Sequence, residues 1–167
     1  WHQRFVYEYK QKRREKLDQF AEGEYRDRIE RGIKKEQEHR KLLNLCIFPF
    51  ASESPPSGFR LVQADPLEEE GEPNFDFLLW DFDGQAIFGE AKANTAQGPV
   101  SLLNEVEEQR EAVEENMDYI VENYLGKEPR NIECVLATFA GDANQITRKA
   151  MSDGREVVTW AVHQMRK

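Results

Sequence analysis

Residues 73–94, PNFDFLLWDFDGQAIFGEAKAN, constrain this chain more than any other stretch. Two apolar runs, about Phe75–Asp81 and Gln85–Lys92, flank an FDG turn signal, which predicts a β-hairpin. Yet Asp76, Glu90 and Lys92 sit inside these runs. An unpaired charge within an apolar strand is costly, so the pairing of the hairpin has to accommodate all three.

Register decides how. If Asp83-Gly84 forms a two-residue turn, facing residues have numbers that sum to 167, and Asp76 faces Ala91. If the loop is Phe82-Asp83-Gly84, with Gly84 in the left-handed conformation that glycine tolerates, the sum is 166 and Asp76 faces Glu90. Lys92 then shares that face, because strand side chains alternate. Both turns are open to this sequence, but only the second gathers the three charges, and grouped opposite charges are cheaper to bury than isolated ones. The three-residue loop is therefore expected. Two carboxylates placed so closely form a hard oxygen site suited to Mg²⁺, with Mn²⁺ as a substitute. A water on such an ion is a candidate nucleophile, and a nearby lysine can orient or deprotonate it and offset phosphate charge.

The rest of the chain supplies a frame. Residues 1 to about 45 read as helix, broken near Gly23. The first helix carries KQKRREK, residues 10–16, either a solvated face of a packing helix or a phosphate-contacting arm. In the second, Ile29, Ile33, Leu42, Leu43 and Cys46 are candidate core residues. After the loop ASESPPSG, residues 51–58, Phe59–Ala64 reads as a strand, and DPLEEEGEP, residues 65–73, as an acidic loop. A long helix is expected from Val100 to Leu125, with Leu103, Val106, Arg110, Val113, Met117, Ile120 and Tyr124 along its inner face and Gly126 as its stop. Asn131–Phe139 reads as a strand, Asp142–Gly154 as a helix and Glu156–His163 as the last strand. Helix, three strands, helix, strand, helix, strand is an α/β arrangement with a central sheet and helices packed on it.

The pattern FDF…GEAK resembles the PD-(D/E)xK nuclease superfamily, with Asp76 as the first acid and Glu90-Ala91-Lys92 as the ExK. The resemblance covers about residues 32–162. It implies a restriction endonuclease-like αβββαβ core, a mixed sheet flanked by helices, here with an extra N-terminal basic helix over residues 1–22 ahead of a domain over 23–167. It further implies that Asp76, Glu90 and the Ala91 carbonyl hold Mg²⁺ or Mn²⁺, and that Lys92 positions the attacking water. Members often carry a glutamate shortly after a glycine on the first helix; Gly32-Ile33-Lys34-Lys35-Glu36 matches, making Glu36 the fourth site candidate and Glu30 its rival. The proline of the motif is not adjacent, since Pro73 precedes Asp76 by three residues. Some members have QxxxY on the following helix; here Gln109 is followed by Val113, so that subgroup is not assigned. Gln109 and Arg110 have the option of facing the site, although helix-surface polarity explains them equally.

The implied function is metal-dependent hydrolysis of DNA phosphodiester bonds, of restriction or repair type, leaving a 5′-phosphate. Two alternatives stay open: a nuclease-like module that binds nucleic acid or protein without catalysis, and a phosphodiesterase for RNA or a nucleotide. Charge bears on these. The net charge is −9, but residues 1–41 hold 13 Lys and Arg against 9 Asp and Glu, a net of +4, and the remainder carries −13. An acidic body repels phosphate; in one reading the acidity reflects a high-salt source organism, and in the other the basic first helix, a homodimer or a larger multidomain or multisubunit assembly supplies positive surface. Cys46 and Cys134 lack metal-ligand spacing and read as buried free thiols of a cytoplasmic protein. No apolar run approaches membrane-spanning length. The chain opens on Trp1, as a processed or excised fragment does.

Overall fold

The computed structural model describes residues 24–50, 58–64, 75–81 and 83–163. The expected basic helix over 1–22, the break at Gly23 and the segments 51–57 and 65–73 lie outside the described residues. Backbone contacts divide the chain into two compact units, Trp1–Arg40 and Lys41–Lys167. Helix α1 runs Glu24–Ile47 and is followed by one 3-10 turn, Phe48–Phe50.

The second unit is built on a five-stranded mixed sheet whose strands lie in sequence order. β1 (Arg60–Ala64), β2 (Phe77–Trp80) and β3 (Gln85–Ala91) pair antiparallel. β4 (Asn131–Phe139) then runs parallel to β3, and β5 (Val158–Val162) parallel to β4. A parallel neighbour needs a crossover. The first crossover is α2 (Pro99–Glu115) with the short α3 (Met117–Ile120), and the second is α4 (Ala140–Asp153). The order of elements is the expected α/β one.

Alternation along β3 sorts the core into two layers. Ala86 and Phe88 face Leu102, Leu103 and Val106 of α2 and Ile146 of α4, whereas Ile87 and Ala91 face Leu42, Leu43 and Cys46 at the end of α1. Each fully buried aromatic or aliphatic side chain here stabilises the fold by roughly 1.5–3 kcal/mol relative to exposure. Cys46 and Cys134 are both free and buried, one in each layer, so the sheet stands between them.

The helix expected from Val100 to Leu125 is not continuous. Asn116 leaves helical geometry at φ −106°, ψ 19°, and its side-chain amide donates to the Ala112 carbonyl at 2.8 Å. A short amide side chain competes in this way with the backbone ladder. Beyond α3 the chain widens into a π-type turn, Val121–Leu125, closed by Gly126 at φ 72° with its N–H on the Val121 carbonyl five residues back at 2.7 Å. Gly126 is the stop that was expected. Among the described residues, no helix is long and apolar enough to cross a membrane.

Candidate active site

The β2–β3 ladder pairs Phe77 with Gly89, Leu78 with Phe88, Leu79 with Ile87 and Trp80 with Ala86. All four pairs carry the register of the three-residue loop. Gly84 has φ 95°, the backbone region that favours glycine. Asp81 closes the turn: its carbonyl accepts the Gly84 N–H at 3.3 Å, and its carboxylate accepts the Gln85 N–H at 2.7 Å. That second bond ties a loop-end acid to the backbone.

Carried one residue further, this register would set Asp76 against Glu90, but the ladder ends at the Phe77–Gly89 pair. The strand is irregular there, because Phe75 packs in the α2 layer and Phe77 in the α1 layer, whereas a straight strand would send both to one face. The Asp76 N–H donates to the Gly89 carbonyl at 2.8 Å, and the Asp76 carboxylate accepts the Ala91 N–H at 2.6 Å. Asp76 is thus bonded to the residue between Glu90 and Lys92. Its charge also reaches the α1 layer: burial first, and then the nearby Asp76 carboxylate, push the Cys46 thiol up to about 12.

Glu90 and Lys92 face α2. The Lys92 ammonium lies 2.9 Å from Glu90 Oε1 and 2.9 Å from Oε2 of Glu105, one residue before Val106 on α2. Glu105 is held in turn by Gln97, whose side-chain amide donates to Oε1 at 2.6 Å. On the other side of Glu90, the Gln109 amide donates to Oε2 at 3.4 Å. The backbone of Lys92 is fixed to β4, its N–H on the Ala137 carbonyl at 2.9 Å and its carbonyl receiving the fully buried Thr138 hydroxyl at 2.8 Å. Burial alone would lower the Lys92 pKa, but the hydrogen bonds and charges of Glu90 and Glu105 outweigh it, so the ammonium is held above the ordinary lysine value. In this arrangement Lys92 is a cation and a hydrogen-bond donor rather than a base.

Within α2 the inner face gains Leu102 and Gln109 and loses Arg110 relative to the expected stripe. Buried positions are Leu102, Leu103, Val106, Gln109 and Val113, and Arg110 is exposed and paired with Glu114 at 3.3 Å. Arg110 is therefore no part of the inner face, whereas Gln109 sits among apolar residues with its amide on Glu90. A polar residue at an apolar helical position was the available signal. Glu105 had no such signal, because Glu107, Glu108 and Glu111 stand beside it in the same helix.

Glu36 belongs to the first unit, where its carboxylate accepts from the Arg40 guanidinium at 3.0 Å, one turn away. The donors that a hard cation prefers are present as the carboxylates of Asp76 and Glu90 and the Ala91 carbonyl, and Mg²⁺ is commonly held by one or two carboxylates with water and phosphate completing the shell. Among the described residues, no group of three or more His, Cys, Asp or Glu side chains is placed to hold a metal. The chain matches no family model, no curated protein and no solved structure.

Proposed function

We propose that the chain is a metal-dependent phosphodiesterase that cuts DNA, built on a restriction endonuclease-like αβββαβ core. The observation that carries the reading is the Asp76–Ala91 hydrogen bond at 2.6 Å, which ties the first acid to the centre of the Glu90-Ala91-Lys92 segment across two strands. A hairpin stabilised only for its own sake has no need of two acids and a lysine at one strand end.

Asp76, Glu90 and the Ala91 carbonyl would hold Mg²⁺ or Mn²⁺. Bound there, the cation would supply Lewis-acid stabilisation to the phosphate and a water of lowered pKa. Lys92, kept protonated by its carboxylate neighbours, would orient that water by donating a hydrogen bond to it and would offset charge building on the phosphate. Gln109 would hold the Glu90 carboxylate in place through its amide.

A second reading has its own observation. Lys92 already bridges Glu90 and Glu105, so the segment is internally ion-paired, as in a nuclease-like binding module that does no chemistry. One experiment separates the two: plasmid, linear and single-stranded DNA, with RNA as competitor, incubated with Mg²⁺ or Mn²⁺ and the wild type, Asp76→Ala or Lys92→Ala. Cutting that needs the metal and disappears in both variants supports the nuclease. No cutting by the wild type on any substrate, together with no calorimetric Mn²⁺ binding, sinks it in favour of the module.

A further inference from the structure

Lys92 has two carboxylates at equal distance, and they differ in situation. Glu90 is the more enclosed, with 17% of its side chain exposed against 35% for Glu105. Glu90 is also the one that adjoins Asp76 through the Ala91 amide, whereas Glu105 stands on α2, braced by Gln97. The side chains of Asp76, Glu90 and Glu105 against Lys92 are three carboxylates and one ammonium, a formal net charge of −2 for these four groups. One divalent cation neutralises them.

A cation seated on Asp76 and Glu90 competes with the ammonium for Glu90, since two positive centres on one carboxylate repel each other. Both backbone groups of Lys92 are bonded to β4, so the root of its side chain stays beside the site, and an ammonium that leaves Glu90 turns to whichever other anion is within its reach. Without a second anion it would be left beside the cation, half-buried and uncompensated, and an uncompensated charge is costly. Glu105 is already in contact at 2.9 Å.

We propose that Glu105 is a positioning residue that keeps Lys92 when a divalent cation takes Glu90, so that cation binding and lysine placement are coupled through this one carboxylate. The inference rests on the metal-dependent reading of the site. It makes Glu105 a partner of the lysine rather than a metal ligand, on the 2.9 Å contact the two already share.

The test is a double-mutant cycle read by Mn²⁺ calorimetry on the full chain, with the wild type, Glu105→Gln, Lys92→Met and the double variant. Glu105→Gln is close to isosteric at a partly exposed position, and circular dichroism with Glu105→Ala as a second variant checks that the fold is kept. Glu105→Gln is expected to weaken Mn²⁺ binding about tenfold when Lys92 is present, within the coupling seen between groups in contact. In the Lys92→Met background the same change is expected to do nothing, because there is no ammonium to house. Equal weakening in both backgrounds would mean that Glu105 acts only through its field, and no weakening in either would mean that it is irrelevant to the cation; each overturns the inference while leaving the phosphodiesterase reading intact. Absence of Mn²⁺ binding by the wild type overturns both.

Discussion

The ring of Phe77 lies over the bare Cα of Gly89, its partner across the β2–β3 ladder, so that a Cβ at position 89 would collide with the ring. Phe77 is also stacked on Trp160 at 5.6 Å between centroids, and Trp160 on Phe50 at 6.1 Å, so the ring has little room to retreat. Glycine facing an aromatic is a known device for pinning strand register. Gly89→Ala is therefore expected to destabilise by about 1–3 kcal/mol, the range for overpacking, seen as a lowered urea midpoint. Phe77→Leu placed on top should recover part of the loss. An unchanged midpoint for Gly89→Ala would contradict the packing described.

Asp76→Asn keeps an oxygen for the Ala91 N–H but removes the charge. Its stability is expected to stay within about 1.5 kcal/mol of the wild type, the net scale of one hydrogen bond. DNA cleavage should fall by about 10²–10³-fold, as when a charge-stabilising group is lost. Chelation of the divalent ion by EDTA should stop wild-type cleavage, and added Mn²⁺ should restore it. Plasmid nicking and thermal melting of the same samples read both effects.

Gln109 and Arg110 are neighbours with opposite expectations. Gln109→Leu fills the buried position with an apolar side chain of similar size but withdraws the donor from Glu90, so cleavage is expected to drop about tenfold, the effect of one hydrogen bond to a charged group. Arg110→Ala removes an exposed i,i+4 pair with Glu114 and a positive charge near the Cys134 thiol, and is expected to change stability by less than about 0.5 kcal/mol at neutral pH, with cleavage unaltered. Parallel unfolding and cleavage assays on the two variants would expose a reversed assignment of the helix face.

Alkaline pH is expected to weaken the fold. Burial first, with the Asp76 charge second, raises Cys46 from 9.0 to about 12, and burial raises Cys134 from 9.0 to about 11. In the unfolded chain both thiols ionise near pH 9, while the folded chain keeps its protons. The unfolded state then binds fewer protons, so stability is fully present below pH 9 and is lost as pH rises towards 11–12. Lys92 acts in the same direction at the top of this window, its folded pKa being raised as well. Urea midpoints measured between pH 8 and 11 should decline, and less steeply in a Cys46→Ala, Cys134→Ala variant.

Much of the hairpin was legible because its charges leave few options. Only one register brings Asp76 against Glu90, and Gly84 permits that loop. The α/β order followed from strand and helix patterns of ordinary strength, and Gly126 announced the end of its helical segment. Legibility stopped where neighbours of equal character compete. Asn116 looks like any polar helix residue until its amide turns onto Ala112. Gln109 carried a signal, a polar residue at a helical position shared with apolar ones, but Arg110 beside it competed for the same face, and burial decides between them. Glu105 is one of several glutamates on α2 and acquires meaning only from the position of Lys92. The turn of the chain between Phe75 and Phe77 follows no local rule, since both are phenylalanines that suit either layer.

The sheet separates Cys46 from Cys134, and this gives the protein two native reporters of motion. A thiol reagent that finds Cys46 has entered between α1 and the sheet, and one that finds Cys134 has entered under α2 and α4. Labelling rates under native conditions therefore measure the opening of each layer separately. Whichever thiol reacts first names the layer that lifts first, and a shared rate means that the sheet loses both coverings in one step.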